Sequence, residues 1–282
     1  MTRKTAAARI SIISNTSLVI IKFIAGFISG SVSVISEAIH SMMDLLAAVI
    51  AYFAVRISDT PADEDHPYGH GKFENVSGVI EALLIFIAAV WIIYEAVIKL
   101  MHRDPMEKAG IGLIVMLISA VTNFFVSRHL YKVAMKTESI ALEADALHLK
   151  TDIYTSLGVS AGLFLIMITG IQIIDPIVAI LVAMLIMREA YELLNRAYKP
   201  LLDTSISPKE LREVEKCILE SNYRYHDLKS RQSGNQRFVE FHLEMQGDVP
   251  LKEVHKKCDE IEEVIKSRVA NININIHVET RE

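Results

Sequence analysis

Apolar residues cluster into six long stretches in the first two thirds of the chain, whereas the last third is polar with short amphipathic runs. Each stretch has about 20 mainly apolar residues, the length that a helix needs to cross a bilayer. No stretch after Pro200 reaches that length. The pattern predicts a six-helix transmembrane domain over residues 1–205 and a polar domain over 206–282, with spans near 10–28, 33–55, 76–100, 111–130, 140–168 and 173–194.

The first stretch has a second interpretation, because Arg3, Lys4 and Arg9 precede it like the basic start of a cleaved signal peptide. Its apolar run is too long for a typical signal peptide, and it shows no clear small-residue cleavage site. Five further stretches follow it. We therefore expect a retained membrane helix.

Lys and Arg near the helix ends predict the orientation, because cytoplasmic loops are enriched in both. The one-two and five-six connections have neither residue, whereas the three-four loop has Lys99, Arg103 and Lys108, which runs against the trend. The balance predicts a multi-pass protein of the cell's inner (plasma) membrane with both termini in the cytoplasm. The basic residues on the predicted cytoplasmic side are Arg3, Lys4, Arg9, Arg56, Lys72, Arg128, Lys132, Lys136, Arg188, Arg196 and Lys199.

The polar third has the pattern of a small α+β domain. Ser207, Pro208 and Glu210 form a helix start, with Ser at the N-cap, Pro at the first position and Glu at the third. Gly234 and Asn235 separate two strand-like runs as a turn signal. The predicted order is αββαβ, a small α+β domain, with helices at 207–222 and 251–269 and strands at 227–232, 237–245 and 271–278.

Composition excludes several classes of protein. With 51% hydrophobic residues, 22% charged residues and a mean hydropathy of +0.33, the chain is neither disordered nor fibrous. The net charge of −5 gives no basic surplus, so we expect no nucleic-acid partner. Cys217 and Cys258 are too few for a disulfide framework and lie in the domain predicted to be cytoplasmic, so we expect free thiols.

Two of the six predicted spans carry the same ionisable motif. The second has His40 and Asp44, and the fifth has His148 and Asp152. A four-residue separation places both side chains on one helix face, one turn apart. Two such faces that meet would offer two imidazole nitrogens and two carboxylate oxygens, a tetrahedral set suited to Zn²⁺.

One such pair by itself is equally typical of a polar contact between membrane helices. Two copies, one in each three-helix half, favour metal binding, because four ionisable groups inside the membrane are costly without a function.

Two further clusters of candidate ligands lie outside the spans. Asp63, His66 and His70 lie in the loop between spans two and three, which is also typical of a solvated acidic turn punctuated by Gly and Pro. The polar domain holds four histidines and a nearby glutamate, and scattered surface histidines are the alternative for them. These residues are His226, His242, His255, His277 and Glu279.

In combination, these features resemble the cation diffusion facilitators, which are dimeric metal/proton antiporters. The resemblance covers nearly the whole chain. It includes the six spans, the paired (H/D)xxxD motifs and the αββαβ end, for which it implies a cytoplasmic ferredoxin-like domain of the metallochaperone kind. It also includes the segments His66-Pro67-Tyr68-Gly69-His70-Gly71-Lys72, Tyr225-His226-Asp227-Leu228-Lys229-Ser230-Arg231-Gln232-Ser233-Gly234 and Phe241-His242-Leu243-Glu244-Met245.

The resemblance implies a role for each cluster. It implies that His40, Asp44, His148 and Asp152 form the transport site midway across the membrane, and that Asp63, His66 and His70 form a loop site. It implies that His226, His242, His255 and His277 line a two-metal site at the dimer contact, where Glu279 stands in place of the family's usual Asp. It also implies an ion pair between Lys72 and Asp203.

The resemblance further implies alternating access, in which metal leaves the cell as protons enter. A second imidazole at His40 favours Zn²⁺, and also Cd²⁺ or Co²⁺, over the harder Mn²⁺; Fe²⁺ stays open. The counter-ion would be the proton, and Zn²⁺ in the polar domain would hold a homodimer together. A membrane metalloenzyme is disfavoured because HExxH is absent and the four ligands leave no open position. A non-transporting metal sensor or assembly scaffold on the same fold is the alternative function.

Overall fold

The computed structural model describes residues 2–29, 32–101, 111–169 and 173–280. The described chain divides into two compact units. The first contains residues 1–61 and 73–198, and the second contains 62–72 and 199–282. Arg103 and Lys108, which were counted in the three-four loop, lie outside the described residues.

Within the described residues, the first unit contains six long helices and the second is a small α+β unit, so the predicted fold class is confirmed. Among the described residues, three helical segments are long and apolar enough to cross a membrane: Arg3–Ile28, Ala38–Ser58 and Lys72–Ile98. The six helices are α1 (Arg3–Ser29), α2 (Val32–Ser58), α3 (Lys72–Met101), α4 (Ile111–Thr137), α5 (Ile140–Thr169) and α6 (Ile174–Tyr198).

Alanines fill the helix contacts of the first unit. One buried cluster joins α1, α2, α4 and α5 and includes Ala8, Ala54, Ala134 and Ala141. A second joins α3, α5 and α6 and includes Ala89. Small side chains let helix backbones approach closely, which favours packing in a bilayer where the surrounding lipid is as apolar as the helix faces. Many large apolar side chains, such as Phe27, Trp91 and Phe125, lie on the outside of the unit.

The carboxylate of Glu74 joins four helices at one end of this unit. It lies near the start of α3 and is buried. It accepts hydrogen bonds from Lys4 Nζ on α1 at 2.8 Å, from Ser58 Oγ on α2 at 2.6 Å, and from Ser139 Oγ at the start of α5. A buried carboxylate needs such partners to offset its desolvation. Glu74 therefore fixes the position of α3 against the helices that carry the ionisable motifs.

The second unit is built on a three-stranded sheet in the order β1-β2-β3. Strand β1 pairs antiparallel with β2, and β2 pairs parallel with β3. A short 3-10 helix at Lys199–Leu202 comes first. The elements that follow along the chain are α7 (Pro208–Glu220), β1 (Arg224–Ser233), β2 (Gln236–Met245), α8 (Leu251–Arg268) and β3 (Ile272–Thr280).

Strand β1 begins at Arg224, earlier than the predicted 227, because the strand continues through a bulge. The register shifts between His226 and Lys229, and Asp227 has a φ of 50°. Aspartate tolerates the left-handed conformation better than most residues, and a bulge bends its strand without ending the ladder. The irregular alternation at this point hid the first part of the strand from the sequence pattern.

One face of the sheet forms the core of the second unit. Val239, Phe241 and Leu243 on β2 are buried against α7 and α8, through Ile218 and Ile265 among others. The capping box predicted at Ser207 is present, with Ser207 Oγ accepting from the backbone N–H of Glu210. Side chains alternate across a strand. The intervening residues of β2, including His242, therefore lie on the opposite face.

The loop 62–72 belongs to the second unit although it connects α2 to α3. The Tyr68 ring lies edge-on to Phe238 with centroids 5.4 Å apart, and the Arg231 guanidinium stacks over Tyr68 at 4.2 Å. Gly71 lies directly against Ser233 and Gly234, so that a Cβ on Gly71 would approach the Ser233 carbonyl oxygen to 2.6 Å. The loop therefore packs on the β1–β2 turn through its backbone.

We expect Gly234→Ala to release this loop. Gly234 has a φ of 58°, and a Cβ there would lie 2.8 Å from Gly71 Cα. The left-handed conformation alone costs an alanine about 1–2 kcal/mol. Amide hydrogen exchange within residues 66–71 of the full chain should become faster.

Gly247→Ala is the matched control, because its Cβ would meet Thr280 at an ordinary 3.5 Å. Unchanged exchange in Gly234→Ala would show that the close backbone approach does not hold the loop.

Candidate metal sites

The ionisable motifs of α2 and α5 meet inside the first unit. His148 Nε2 lies 3.0 Å from Asp44 Oδ1. His40 Nε2 lies 3.9 Å from Asp44 Oδ1 and 3.9 Å from Asp152 Oδ1. One ligand atom each of His40, Asp44 and Asp152 lies within 4.8 Å of the others. The structure therefore brings together all four residues that were predicted from the two motifs.

These distances are compatible with one small cation. With Zn–ligand distances near 2.0 Å, the ligand atoms of a tetrahedral site lie about 3.3 Å apart. The observed separations of 3.0 and 3.9 Å bracket that value. Two imidazoles and two carboxylates form a donor set that suits Zn²⁺ and its borderline-soft relatives.

Three of the four residues, His40, Asp44 and Asp152, line the wall of a cavity of about 150 Å³. His40 is the exposed member, with 56% of its side-chain surface accessible, whereas the Asp44 side chain is 7% accessible. The other lining residues include Asn15 and Lys22 on α1, Asn123 on α4, and Thr155 and Ser156 on α5. Lys22 Nζ donates to Ser41 Oγ at 2.8 Å, which places an ammonium group beside the ligands.

The helical unit contains two more buried carboxyl groups that the sequence motifs did not single out. Glu81 on α3 and Asp145 on α5 are fully buried, and Asp145 precedes His148 by one helical turn. Ser77 Oγ donates to Glu81 Oε1 at 3.2 Å. Both acids interrupt apolar stretches, and an ionisable residue in such a stretch is itself a signal of function. That signal was present in the sequence, but neither acid has the repeated spacing that singled out the His-x-x-x-Asp motifs.

The three predicted loop residues also lie together. Asp63 Oδ1 lies 3.3 Å from His66 Nδ1, and Asp63 Oδ2 lies 3.3 Å from His70 Nε2. The backbone N–H of His66 donates to Asp63 Oδ1 at 2.7 Å. This hydrogen bond and the two imidazoles hold the pKa of Asp63 below its usual range, so the carboxylate is ready to bind a cation at neutral pH.

The sheet register aligns three histidines of the second unit. His226 on β1 pairs with His242 on β2, which pairs with His277 on β3. Glu244 and Glu279 pair two positions further along β2 and β3, and therefore lie on the same face. This face is opposite the buried core, so the row is accessible from outside the unit.

Glu279 is the centre of this cluster. Its carboxylate lies 3.2 Å from His226 Nε2, 3.0 Å from His242 Nδ1 and 3.6 Å from His277 Nε2. His226, His242 and Glu279 each offer a ligand atom within 4.8 Å of the others, as ligands of one cation would. His255 does not join the cluster within one chain. It is on α8, with 77% of its side-chain surface accessible and Nε2 3.6 Å from Asp259.

The predicted ion pair of Lys72 and Asp203 is present within the second unit. Lys72 Nζ donates to Asp203 Oδ1 at 2.8 Å, and Arg231 Nη1 lies 3.5 Å from the same oxygen. The hydrogen bond from Lys72, together with the positive charge of Arg231, holds the pKa of Asp203 below its usual range. Because Arg231 also stacks on Tyr68, the two contacts attach the same loop.

We expect Asp203→Asn to weaken the loop attachment by about 0.5–1 kcal/mol at neutral pH, the usual size for an exposed ion pair. Since the folded pKa is depressed, the wild-type contribution is present above pH of about 4 and is lost as pH falls through that pKa. Wild type and Asp203→Asn should therefore differ in the hydrogen exchange of residues 66–71 at pH 7 and converge at low pH.

Asp248→Asn, which removes an exposed carboxylate elsewhere in the second unit, is the control. A difference from wild type that persists unchanged below the pKa would exclude the ion pair as its cause.

Comparison with known proteins supports one family over almost the whole chain. The family described as "Cation efflux transmembrane domain" matches residues 8–202, and that described as "Cation efflux protein, cytoplasmic domain" matches 206–281. An uncharacterised transporter of Synechocystis is 34% identical over 258 residues, which cover 90% of this chain and 83% of that protein. The cation-efflux pump FieF of Shewanella oneidensis is 31% identical over 274 residues, covering 96% and 92%.

Among solved structures, "Mode of Action of a Putative Zinc Transporter CzrB" is 33% identical and covers 28% of this chain and 100% of that chain, with a TM-score of 0.27. Both family matches are consecutive along this chain, in the order of the helical unit and the α+β unit. The chain belongs to the cation efflux, or cation diffusion facilitator, family and is a membrane transporter of metal cations.

Proposed function

We propose that this protein exports Zn²⁺ across the membrane in exchange for protons, with His40, Asp44, His148 and Asp152 as its transport site. The observation that carries the proposal is the convergence of these four side chains from α2 and α5, with His148 Nε2 3.0 Å from Asp44 Oδ1. Ionisable side chains inside a helical membrane unit are costly, and a bound cation would offset that cost.

The donor set supports Zn²⁺ as the substrate. Imidazole suits Zn²⁺ and other late divalent metals, whereas Mn²⁺ prefers carboxylate, carbonyl and water oxygens. Cd²⁺, Co²⁺ and Fe²⁺ are the competing substrates, because their preferences overlap with those of Zn²⁺.

Protons are the proposed counter-ion because they compete with the metal for the same atoms. Metal binding requires neutral imidazole and ionised carboxylate, so binding releases protons and protonation releases metal. In water, histidine has a pKa of about 6.5 and aspartate about 3.9. His40 and His148 are therefore the proposed proton carriers, because imidazole titrates nearest to neutral pH.

Alternating access would connect these two chemical states to the two sides of the membrane. The site would bind Zn²⁺ while open to the cytoplasm and exchange it for protons while open to the other side. The distribution of Lys and Arg supports cytoplasmic termini and an inner-membrane location. The protein would work as a homodimer, and the cytoplasmic-domain family that matches residues 206–281 is itself named for a dimer.

The loop and sheet clusters are proposed as sites for regulatory metal. His226, His242 and Glu279 provide ligand atoms within 4.8 Å of one another, and so do Asp63, His66 and His70. Their imidazole and carboxylate donors fit Zn²⁺. Zn²⁺ held there would add cross-links between strands and within the loop, and so stabilise the second unit.

Zn²⁺ flux into proteoliposomes with an imposed pH gradient tests the transport proposal. We expect wild-type flux to depend on the gradient and to be abolished in Asp152→Ala, because a ligand and a negative charge are removed. The apparent KM for Zn²⁺ on the loading side should rise as the pH falls below about 6.5, where imidazole becomes protonated.

Glu192→Ala is the matched control, because it removes an exposed carboxylate of α6 that pairs with Arg188. Absence of flux from folded wild-type protein that still binds Zn²⁺ would favour the sensor or scaffold function. Flux that survives in Asp152→Ala would place the transport site elsewhere.

Glu279→Ala tests the sheet cluster. Because its carboxylate lies within 3.6 Å of three imidazoles, its loss should reduce the Zn²⁺-dependent rise in thermal stability of the cytoplasmic domain. Glu263→Ala, which removes an exposed carboxylate of α8, should retain that rise. An equal response of Glu279→Ala and wild type to Zn²⁺ would exclude Glu279 as a ligand.

A further inference from the structure

The two ionisable motifs belong to a longer pattern that occurs twice in the chain. Ser11 and Ser119 are each followed four residues later by an asparagine. In both halves the His-x-x-x-Asp motif then begins at the same distance after that asparagine. Asn15 precedes Asp44 by 29 residues, and Asn123 precedes Asp152 by 29 residues. The asparagines lie on α1 and α4, beside the helices that carry the ligands. The repeat therefore marks an asparagine in each half.

Both asparagines lie at the candidate transport site. Asn15 is 3% exposed, Asn123 is 6% exposed, and both line the cavity that contains His40, Asp44 and Asp152. Asn123 Nδ2 donates to Asp152 Oδ2 at 3.3 Å. Asn15 Nδ2 donates to the backbone oxygen of Asp44 at 3.5 Å. Each amide thus contacts the aspartate of its own half, one at the carboxylate and one at the main chain.

The contact of Asn123 divides the two oxygens of Asp152 between two tasks. Oδ2 accepts from the amide, whereas Oδ1 lies 3.9 Å from His40 Nε2 and faces the other candidate ligands. A carboxylate held in this way offers one oxygen to a metal. Single-oxygen ligation suits a four-coordinate cation such as Zn²⁺, whereas bidentate carboxylates help to complete the larger coordination shells of hard cations.

The second amide atom of Asn123 strengthens this assignment. Its Oδ1 is buried without a hydrogen-bond partner among the described residues. In native proteins such groups are explained by an ordered water, a bound ion or a functional role. The hydrogen bond to Asp152 requires the NH₂ group to face the carboxylate, because a carboxylate only accepts. The unpaired oxygen is the consequence of that orientation.

We propose that Asn15 and Asn123 are positioning residues of the metal transport site, and that Asn123 sets metal selectivity by leaving Asp152 a single oxygen for the cation. This inference rests on the proposed function of the site. Partners that orient a metal ligand typically change metal affinity by about 10–100-fold when they are removed.

The test is metal flux in proteoliposomes for Asn123→Leu, which keeps most of the side-chain volume and removes the amide. The apparent KM for Zn²⁺ should rise about 10–100-fold. The preference for Zn²⁺ over Mn²⁺ should fall about tenfold, because a released Asp152 can bind through both oxygens. Asn15→Leu should change both quantities in the same direction and by less, since its contact is longer and reaches only the backbone.

The matched controls are Thr122→Ala and Thr16→Ala, next to the two asparagines. Both hydroxyls donate to a carbonyl of their own helix, so both variants should keep the wild-type KM and preference. Asn123→Ala provides a second variant if Asn123→Leu does not fold. A wild-type KM and a wild-type preference in a folded Asn123 variant would overturn the inference while leaving the proposed function intact. A wild type without flux would overturn the proposed function first.

Discussion

The helical unit depends on one constraint, which is that each buried ionisable side chain needs a charged or hydrogen-bonding partner. The carboxylate of Asp44 is almost inaccessible to solvent, and its nearest ionisable neighbour is the imidazole of His148 at 3.0 Å. The same requirement explains the environment of Glu74, which is hydrogen-bonded from three other segments of the unit. Because an unpaired charge in such surroundings is expensive, α2, α3 and α5 are held in a fixed mutual arrangement.

In the α+β unit, the geometry of the pleated sheet separates core residues from candidate metal ligands. Alternation along β2 places Phe241 in the core and His242 on the opposite face. The ladder then aligns His242 with a histidine on each neighbouring strand, and Glu279 on β3 faces that row. The residues that pack the domain and those that surround Glu279 thus interleave along the strands, and a shift of register by one residue would disrupt both.

Most of the fold follows from local patterns, and the exceptions have physical causes. The long helices, the capping box at Ser207 and the placement of His and Asp on one face within each His-x-x-x-Asp motif depend on spacing along one element, which the sequence displays directly. The convergence of the two motifs was predicted from their repetition in both halves of the chain. The attachment of the loop through Tyr68 and Gly71 depends on a surface formed by residues distant in sequence, so no local pattern indicates it. The contact of Asn123 was not predicted although Asn15 and Asn123 stand at the same interval before the two motifs, because spacing alone does not show which atom of another helix a side chain contacts.

Because loop 62–72 packs on the β1–β2 turn, a truncation of the chain after α6 would affect this loop as well as the sheet. A protein that ends after α6 would lack the turn that Gly71 touches, the aromatic ring beside Tyr68 and the carboxylate that pairs with Lys72. Such a deletion would therefore remove the sheet cluster and, at the same time, the surface that supports Asp63, His66 and His70. The effect of deleting everything after α6 therefore cannot be assigned to the loss of the sheet cluster alone. Point substitutions in the deleted part, such as those at Gly234 and Asp203, separate the loss of the loop's support from the loss of that cluster.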